Sequence, residues 1–333
     1  MDSLTQVTLG AAVGTAVLGR RIGYRAALWG GICGTLPDLD VFVPFGDPVA
    51  DFTYHRSFSH SLLVLTALTP ILVWLIIRIH PQTAVYKRQW FWLVWLALIT
   101  HSLLDSLTIY GTQVLWPLLD TPVGIGSIFI IDPLYTVPLL VGVLGALLLW
   151  RKPARGARLN LWGLGLSTLY LGWSLVAQQI VTEQARTALA QQNIGYERLL
   201  ATPAPFNTVL WRIVAMNKNH YHEGYYSLLD QHANISFHEY PSQESLLEPL
   251  ASHWPVERLR WFSKGFYKVS ENNGKIIMSD LRMGLEPDYV FAFIVGSISN
   301  PHPVPAASER YQSVRDWSRL PAVFRRIWDT NAL

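Results

Sequence analysis

The sequence predicts an all-α membrane bundle, about four long spans plus two short N-terminal apolar helices, followed by a small β-rich α+β extracytoplasmic domain. Three observations carry this. Half of the 333 residues are hydrophobic, and the apolar runs crowd the first 180. The basic residues of that half collect on alternate connections between the runs. Past residue 204, alternating apolar patterns, prolines and an Asn-Gly turn replace the long runs. The expected division is a membrane domain at 1–180, a helical linker at 181–204 and an α+β domain at 205–333.

A spanning helix needs about 20 mainly apolar residues, and windows at 61–79, 90–108, 133–150 and 159–180 approach that. Two shorter segments, 4–18 and 26–36, precede them and carry Gly10-x-x-x-Gly14 and Gly30-x-x-x-Gly34, spacings that let helices approach closely. Arg20, Arg21 and Arg25 follow the first segment, Arg78, Lys87 and Arg88 the third, and Arg151, Lys152, Arg155 and Arg158 the fifth. The intervening connections, 37–60 and 109–132, hold only Arg56. Positive residues favour the cytoplasmic side, so the N-terminus, the connections at 37–60 and 109–132, and the chain beyond residue 180 are expected outside. Residues 1–6 lack a basic stretch, so the N-terminus is expected to be retained rather than cleaved.

Cys33 is the single cysteine, which excludes an internal disulfide. A net charge of +3, with most basic residues of the first half serving topology, gives no reason to expect a nucleic-acid partner. The expected environment is a lipid bilayer.

Six ionisable residues stand where apolar surroundings make them costly: Asp38, Asp40, His55, His60, His101 and Asp105. All map to the outer side. His101 and Asp105 are four apart and share one helical face. His55 and His60, five apart, diverge by about 140° on a continuous helix. His55 therefore belongs in the entering loop and His60 in the first turn of the next helix, with Ser57 as N-cap. Asp38 and Asp40 need an irregular helix end to converge. Three imidazoles and three carboxylates suit Zn²⁺, with Mn or Fe as alternatives, and could hold one ion or two. Such a site acidifies water for attack on an ester or phosphoester. Arg56, alone among basic residues on the outer connections, could clamp an anionic substrate group or instead pair with Asp51 or a lipid headgroup. Any one of these residues alone would read as a helix cap; three Asp/His pairs on one side do not.

The stretches Leu36-Pro37-Asp38-Leu39-Asp40, His55-Arg56-Ser57-Phe58-Ser59-His60-Ser61 and His101-Ser102-Leu103-Leu104-Asp105-Ser106-Leu107-Thr108, with Val114-Leu115-Trp116-Pro117 after them, resemble the YdjM-like family of bacterial membrane-bound, predicted metal-dependent hydrolases. The resemblance covers about residues 1–180. It implies a multi-span protein of the inner, or cytoplasmic, membrane with the six residues as metal ligands, and it supplies no substrate. Family members carry a histidine near the N-terminus where this chain has Gln6. Glutamine is a weak ligand but a good hydrogen-bonding group, so Gln6, with Ser59 and Thr108, is expected to support ligands rather than bind metal.

In the second half, alternation over 209–215, runs at 261–269 and 275–279 flanking Asn272-Asn273-Gly274, and a run at 289–295 are expected strands. His220 and His222 share a strand face beside Glu223; polar strand-end residues are the favoured reading over a second metal site. The function expected is hydrolysis at the outer membrane–water interface, with a lipid or lipid-linked (phospho)ester as substrate. The alternatives are a metal or ion transporter, which would continue polar residues through inner span halves that are mostly apolar, and a non-catalytic envelope scaffold with a structural metal.

Overall fold

The computed structural model describes residues 1–231, 235–299, 302–312, 318 and 320–332. It divides into two units: Met1–Phe42, Arg56–Leu175 and Pro205–Asn207 in the first; Val43–His55, Val176–Ala204 and Thr208–Leu333 in the second.

The first unit is helical. Helix α1 (Ser3–Ile22) starts where the Asp2 carboxylate accepts the Thr5 amide at 3.0 Å, and α2 (Tyr24–Thr35) folds back along it. The glycine spacing explains the pairing, because a Cβ on Gly10 would lie 2.2 Å from the Gly30 carbonyl oxygen, and one on Gly30 equally close to the Gly10 oxygen. A 3-10 turn, Leu36–Phe42, ends α2. The chain then leaves for the second unit through α3 (Pro48–Tyr54).

Helix α4 (Leu62–Ile79) is capped by Ser61, whose hydroxyl accepts the Val64 amide, and not by Ser57, which makes no side-chain cap. Helix α5 (Lys87–Leu107) is the central element, with Trp90, Leu93 and Leu98 fully buried. Helix α6 (Pro133–Leu148) is capped by Asp132. Helix α7 (Pro153–Gln191) is continuous over 39 residues.

Among the described residues two helices are both long and apolar enough for a crossing, Leu62–Ile79 and Pro81–Leu107, rather than the four expected. The 16 residues of α6 extend about 24 Å, short of a hydrocarbon core of about 30 Å. The window at 159–180 falls in α7 but is diluted by polar tie points: Asn160 Nδ2 donates to the Ala12 carbonyl at 2.8 Å and Ser167 Oγ to that of Tyr135 at 2.7 Å. The first helix, expected to be short, has 20 residues and is rich in Gly, Ala and Thr. Of the crossing windows, 61% of the α5 residues are buried against 22% for α4, which puts α5 inside the bundle and α4 at its edge.

The second unit is β-rich. Strands β1 (Arg198–Pro203), β2 (Leu210–Met216), β3 (His220–Ser227) and β4 (Phe237–Pro241) form an antiparallel meander. Helix α8 (Trp254–Phe262) follows, then the hairpin of β5 (Tyr267–Asn272) and β6 (Lys275–Asp280), the two-residue strands β7 (Gly284–Leu285) and β8 (Asp288–Tyr289), and β9 (Ala292–Ser299) with β10 (His302–Arg310). The second sheet has the order β10-β9-β6-β5. Helix α9 (Leu320–Arg325) comes last.

Three details differ from the sequence reading. The stretch expected as a helical linker ends in β1, an edge strand where Pro203 is tolerated because one side needs no ladder donor. Trp261 and Phe262 belong to α8, not to a strand: Pro255 sits in its first turn and Val256, Leu259 and Phe262 bury one helical face. Tyr289 ends β8, and the long strand expected from it begins at Ala292. The C-terminal end of α7 lays Ala177, Val181, Ala185 and Ala188 against Trp211 and Ile213 of β2. Phe52 of α3 stacks on Phe291, centroids 4.4 Å apart, and meets Phe262 edge-on at 4.7 Å.

Candidate metal centre

Four of the six expected ligands converge in the first unit: Asp38, His60, His101 and Asp105 each offer a ligand atom within 4.8 Å of all the others. His101 and Asp105 lie in the last two turns of α5, and α5 stops there because Thr108 turns its backbone amide and hydroxyl onto the Asp105 carbonyl, at 3.0 and 2.7 Å. Asp38 arrives on the 3-10 turn after α2. His60 closes a second 3-10 turn, Phe58–His60. That turn is held from the Val114–Pro117 segment: the Leu62 amide donates to the Val114 carbonyl at 2.9 Å, and the Ser61 hydroxyl donates to the Trp116 carbonyl.

The hydrogen bonds around the cluster fix the histidine tautomers. His101 Nδ1 lies 2.7 Å from the Gly34 carbonyl, an acceptor only, so Nδ1 carries the proton. That carbonyl is free because α2 ends one residue later. The Ser59 hydroxyl donates to Asp40 Oδ2 at 2.6 Å, so its oxygen accepts from His60 Nδ1 at 3.0 Å. In its neutral form each imidazole therefore turns an unprotonated Nε2 inward, and the two Nε2 atoms are 3.1 Å apart. Asp105 Oδ2 is buried without a hydrogen bond, 3.2 Å from His60 Nε2 and 3.4 Å from His101 Nε2. Asp38 Oδ1 stands 3.5 and 3.6 Å from the same nitrogens.

Lone pairs facing lone pairs in a buried pocket are repulsive unless a proton or a metal cation lies between them. A tetrahedral ion with ligand bonds of 2.0–2.1 Å has ligand–ligand edges of about 3.3–3.4 Å. The five separations just given, 3.1 to 3.6 Å, bracket that value. The residues present thus fit a divalent metal ion. The side chains of His60, His101 and Asp105 are inaccessible to solvent while that of Asp38 is 18% exposed, so the cluster opens on the Asp38 side.

The other expected residues fall around the four. Asp40 lies behind His60, with Oδ2 3.7 Å from Nδ1, and receives the Ser59 hydroxyl and, at 2.9 Å, the Arg56 amide. It holds the turn rather than joining the cluster. His55 caps the C-terminus of α3, groups with the second unit and is not one of the four. Gln6 Nε2 donates to Asp105 Oδ1 at 2.9 Å and to the His101 carbonyl at 3.3 Å. Asp105 Oδ1 is also contacted by the Met1 amino group. Thr108 bonds to backbone and not to a carboxylate.

Arg56 adopts a left-handed backbone, φ 63°, a conformation costly for a residue with a Cβ. Its amide bond to Asp40 and its carbonyl, which accepts the Gln113 amide at 2.9 Å, hold it there. The buried guanidinium lies over the Tyr110 ring at 5.0 Å with Nε 3.3 Å from Asp105 Oδ2, and its Nη1 has no hydrogen-bond partner. Sequence reasoning missed the Gly34 carbonyl, whose only signal was the close helix packing of Gly30-x-x-x-Gly34, and Tyr110.

In the second unit His220 Nδ1 and His222 Nε2 stand 4.0 and 3.9 Å from Glu239, which faces them from β4. They do not form a second cluster of the kind above among the described residues.

Comparison with known proteins bears on all of this. The chain is 24% identical over 312 residues to the uncharacterized protein YfhP of Bacillus subtilis (strain 168), covering 89% of this chain and 90% of that one. It is 34% identical over 120 residues to the inner membrane protein YbcI of Escherichia coli (strain K12), covering 35% of this chain and 68% of that protein. No solved structure matches. The family model described as YdjM inner membrane protein matches residues 1–181, which contain all four converging residues and more than half of the sequence. The chain belongs to the YdjM family of inner membrane proteins.

Proposed function

We propose that this chain is a multi-pass, metal-dependent hydrolase of the inner membrane, with Asp38, His60, His101 and Asp105 as ligands of a single zinc ion. The observation that carries the reading is the inward aim of two Nε2 atoms, whose partner Nδ1 atoms are held as donors, at a buried Asp105 oxygen without a hydrogen bond, at separations that match the edges of a tetrahedron. Two imidazoles favour zinc over magnesium or calcium, which prefer all-oxygen sites. The charge asymmetry of the connections supports a site at the outer face, with the C-terminal domain in the periplasm or exterior.

When bound, the ion would supply Lewis acidity and bring the pKa of a water towards neutrality. The chain's own residues do the rest. Two carboxylates cancel the charge of a divalent ion, and the Arg56 guanidinium beside Asp105 adds a positive group that suits an anionic phosphoester. The unpartnered Nη1 of Arg56 is the donor that would orient a phosphate oxygen. A site at the membrane surface, open only on the Asp38 side, favours a lipid or lipid-linked (phospho)ester over a soluble one. Gln6 holds the Asp105 carboxylate, and Ser59 with Asp40 holds His60.

The test is metal content of purified protein, followed by phosphodiesterase and lipase assays of wild type, His101→Ala and Asp105→Ala. The expected result is about one zinc per chain in wild type, with metal and hydrolysis lost together in both variants. Equal metal content in all three sinks the site. A metal-loaded wild type inert across the panel sinks the hydrolase and leaves a structural metal.

A further inference from the structure

We propose that Asp38 is the exchangeable ligand of the metal centre: it completes a closed, four-coordinate resting site and gives way to an anionic oxygen of the substrate, while His60, His101 and Asp105 stay. The proposal rests on the four-residue site of the proposed function and deepens it by assigning the way in.

Hydrolysis at a metal needs a coordination position for water or substrate, and four protein ligands around a tetrahedral ion leave none. Closed sets of that kind hold structural metals, whereas catalytic sites keep three protein ligands and an open place. One of the four must therefore yield, and the hydrogen bonds choose which. His60 is held through Nδ1 by the Ser59 hydroxyl at 3.0 Å, and that hydroxyl by Asp40 at 2.6 Å. His101 is held through Nδ1 by the Gly34 carbonyl at 2.7 Å. Asp105 keeps Oδ1 on Gln6 Nε2 at 2.9 Å and has Arg56 Nε 3.3 Å from Oδ2. Moving any of these three breaks a buried hydrogen bond and leaves its partner unsatisfied.

Asp38 has no such hold. Its carboxylate stands near the two Nε2 atoms at 3.5 and 3.6 Å, the widest of the five separations, and among the described residues it accepts no hydrogen bond from any other donor. Its side chain is 18% exposed, against 0% for each of the other three. Two residues on, Asp40 pins the same 3-10 turn through the Ser59 hydroxyl and the Arg56 amide, so the backbone can stay in place while the Asp38 side chain rotates. The neighbouring Leu39, Val41 and Phe42 are exposed, which leaves room on that side. What remains is two imidazoles and one carboxylate, a set that catalytic zinc sites use with the fourth position open. Exchanging a carboxylate oxygen for a phosphate oxygen keeps both coordination number and charge, whereas a neutral ester carbonyl would leave the buried pocket one charge more positive.

The test loads the full chain with cobalt(II), whose visible bands are strong in four-coordinate sites and weak in five- or six-coordinate ones, and then adds inorganic phosphate. It compares wild type, Asp38→Ala, His101→Ala and Asp105→Ala. In competition against a chelator, Asp38→Ala should lose at most about tenfold in cobalt affinity, and the other two variants about a hundredfold or more. Wild type should show strong bands that phosphate shifts without weakening, one oxygen having replaced another. Equal loss of affinity in all three variants overturns the proposal. So do bands that phosphate weakens, which would mean a fifth ligand added beside a fixed Asp38, and bands that it leaves unmoved. A wild type that takes up no cobalt refutes the four-residue site itself, so the two readings fail separately. Asp38→Ala should also leave the metal-free thermal midpoint unchanged, because no hydrogen bond of the fold ends on that carboxylate, and a lowered midpoint would count against the proposal.

Discussion

Replacing Ser59 with alanine removes no ligand, yet it should weaken zinc binding about 10–100-fold. The Ser59 hydroxyl gives its proton to Asp40 Oδ2 at 2.6 Å and its oxygen to His60 Nδ1 at 3.0 Å, which commits Nε2 to face Asp105 unprotonated. A hydrogen bond to a charged group contributes about 1.5–3 kcal/mol. Losing the group that orients a metal-bound histidine typically costs about 10–100-fold in affinity, or about 1.4–2.7 kcal/mol at 1.36 kcal/mol per decade. The two ranges agree. Losing a ligand should cost more, since a structural zinc site of about 10–16 kcal/mol shared by four ligands gives about 2.5–4 kcal/mol each. The assay is competition of purified protein against a chelator of known zinc affinity, for wild type, Ser59→Ala, Ser59→Thr and His60→Ala. Ser59→Thr keeps the hydroxyl and should hold zinc more tightly than Ser59→Ala. Wild-type affinity in Ser59→Ala, or equal weakness in Ser59→Thr, would refute the tautomer argument.

Other outcomes follow from the same geometry. Gly30→Ala places a Cβ 2.2 Å from the Gly10 carbonyl oxygen and should lower the thermal midpoint in detergent by an amount worth about 1–3 kcal/mol or more; an unchanged midpoint would mean that α1 and α2 do not touch as described. Arg212→Met strands Glu223, whose Oε2 lies 2.5 Å from Arg212 Nη2 with both side chains buried, and should cost about 3–5 kcal/mol in unfolding of the full chain; a loss under 1 kcal/mol would count against that pair. Burial lowers the pKa of His222, outweighing the opposite pull of Glu239, with His220 pushing it down further. The folded state therefore takes up its proton at lower pH than the unfolded chain. His222 contributes fully above the unfolded value of about 6.5, and that stability is lost as pH falls through the depressed folded value. Thermal midpoints measured from pH 7.5 down to 5 should fall more steeply in wild type than in His222→Gln, and parallel curves would show that His222 is not the titrating group.

What was legible in the sequence tracks how local the determining interactions are. His101 and Asp105 were readable as a pair because helical periodicity alone puts residues four apart on one face, and α5 is a helix for reasons contained in its own window. Asp38 and His60 were readable as candidates but not as partners. They meet because the 3-10 turn of His60 is tied to distant backbone, Leu62 to Val114 and Ser61 to Trp116, and to the turn of Asp38 through the Arg56 amide and Ser59 hydroxyl on Asp40, and such bonds leave no periodic trace. Asp40 and Asp38, two apart in one motif, look equivalent in sequence. The direction of the Ser59 hydroxyl separates them, making one a member of the cluster and the other a support. His55 was a candidate because it stands with His60 on an outer connection otherwise poor in charge. Phe52, packed on Phe291 and Phe262, ties α3 into the second unit and takes His55 with it. A phenylalanine in a short amphipathic turn gives no sign of which core will claim it. The same limit explains α6 and α7: hydropathy counts apolar residues, whereas helix length and buried tie points such as Asn160 to Ala12 decide whether an apolar stretch is an independent span or a helix held by its neighbours.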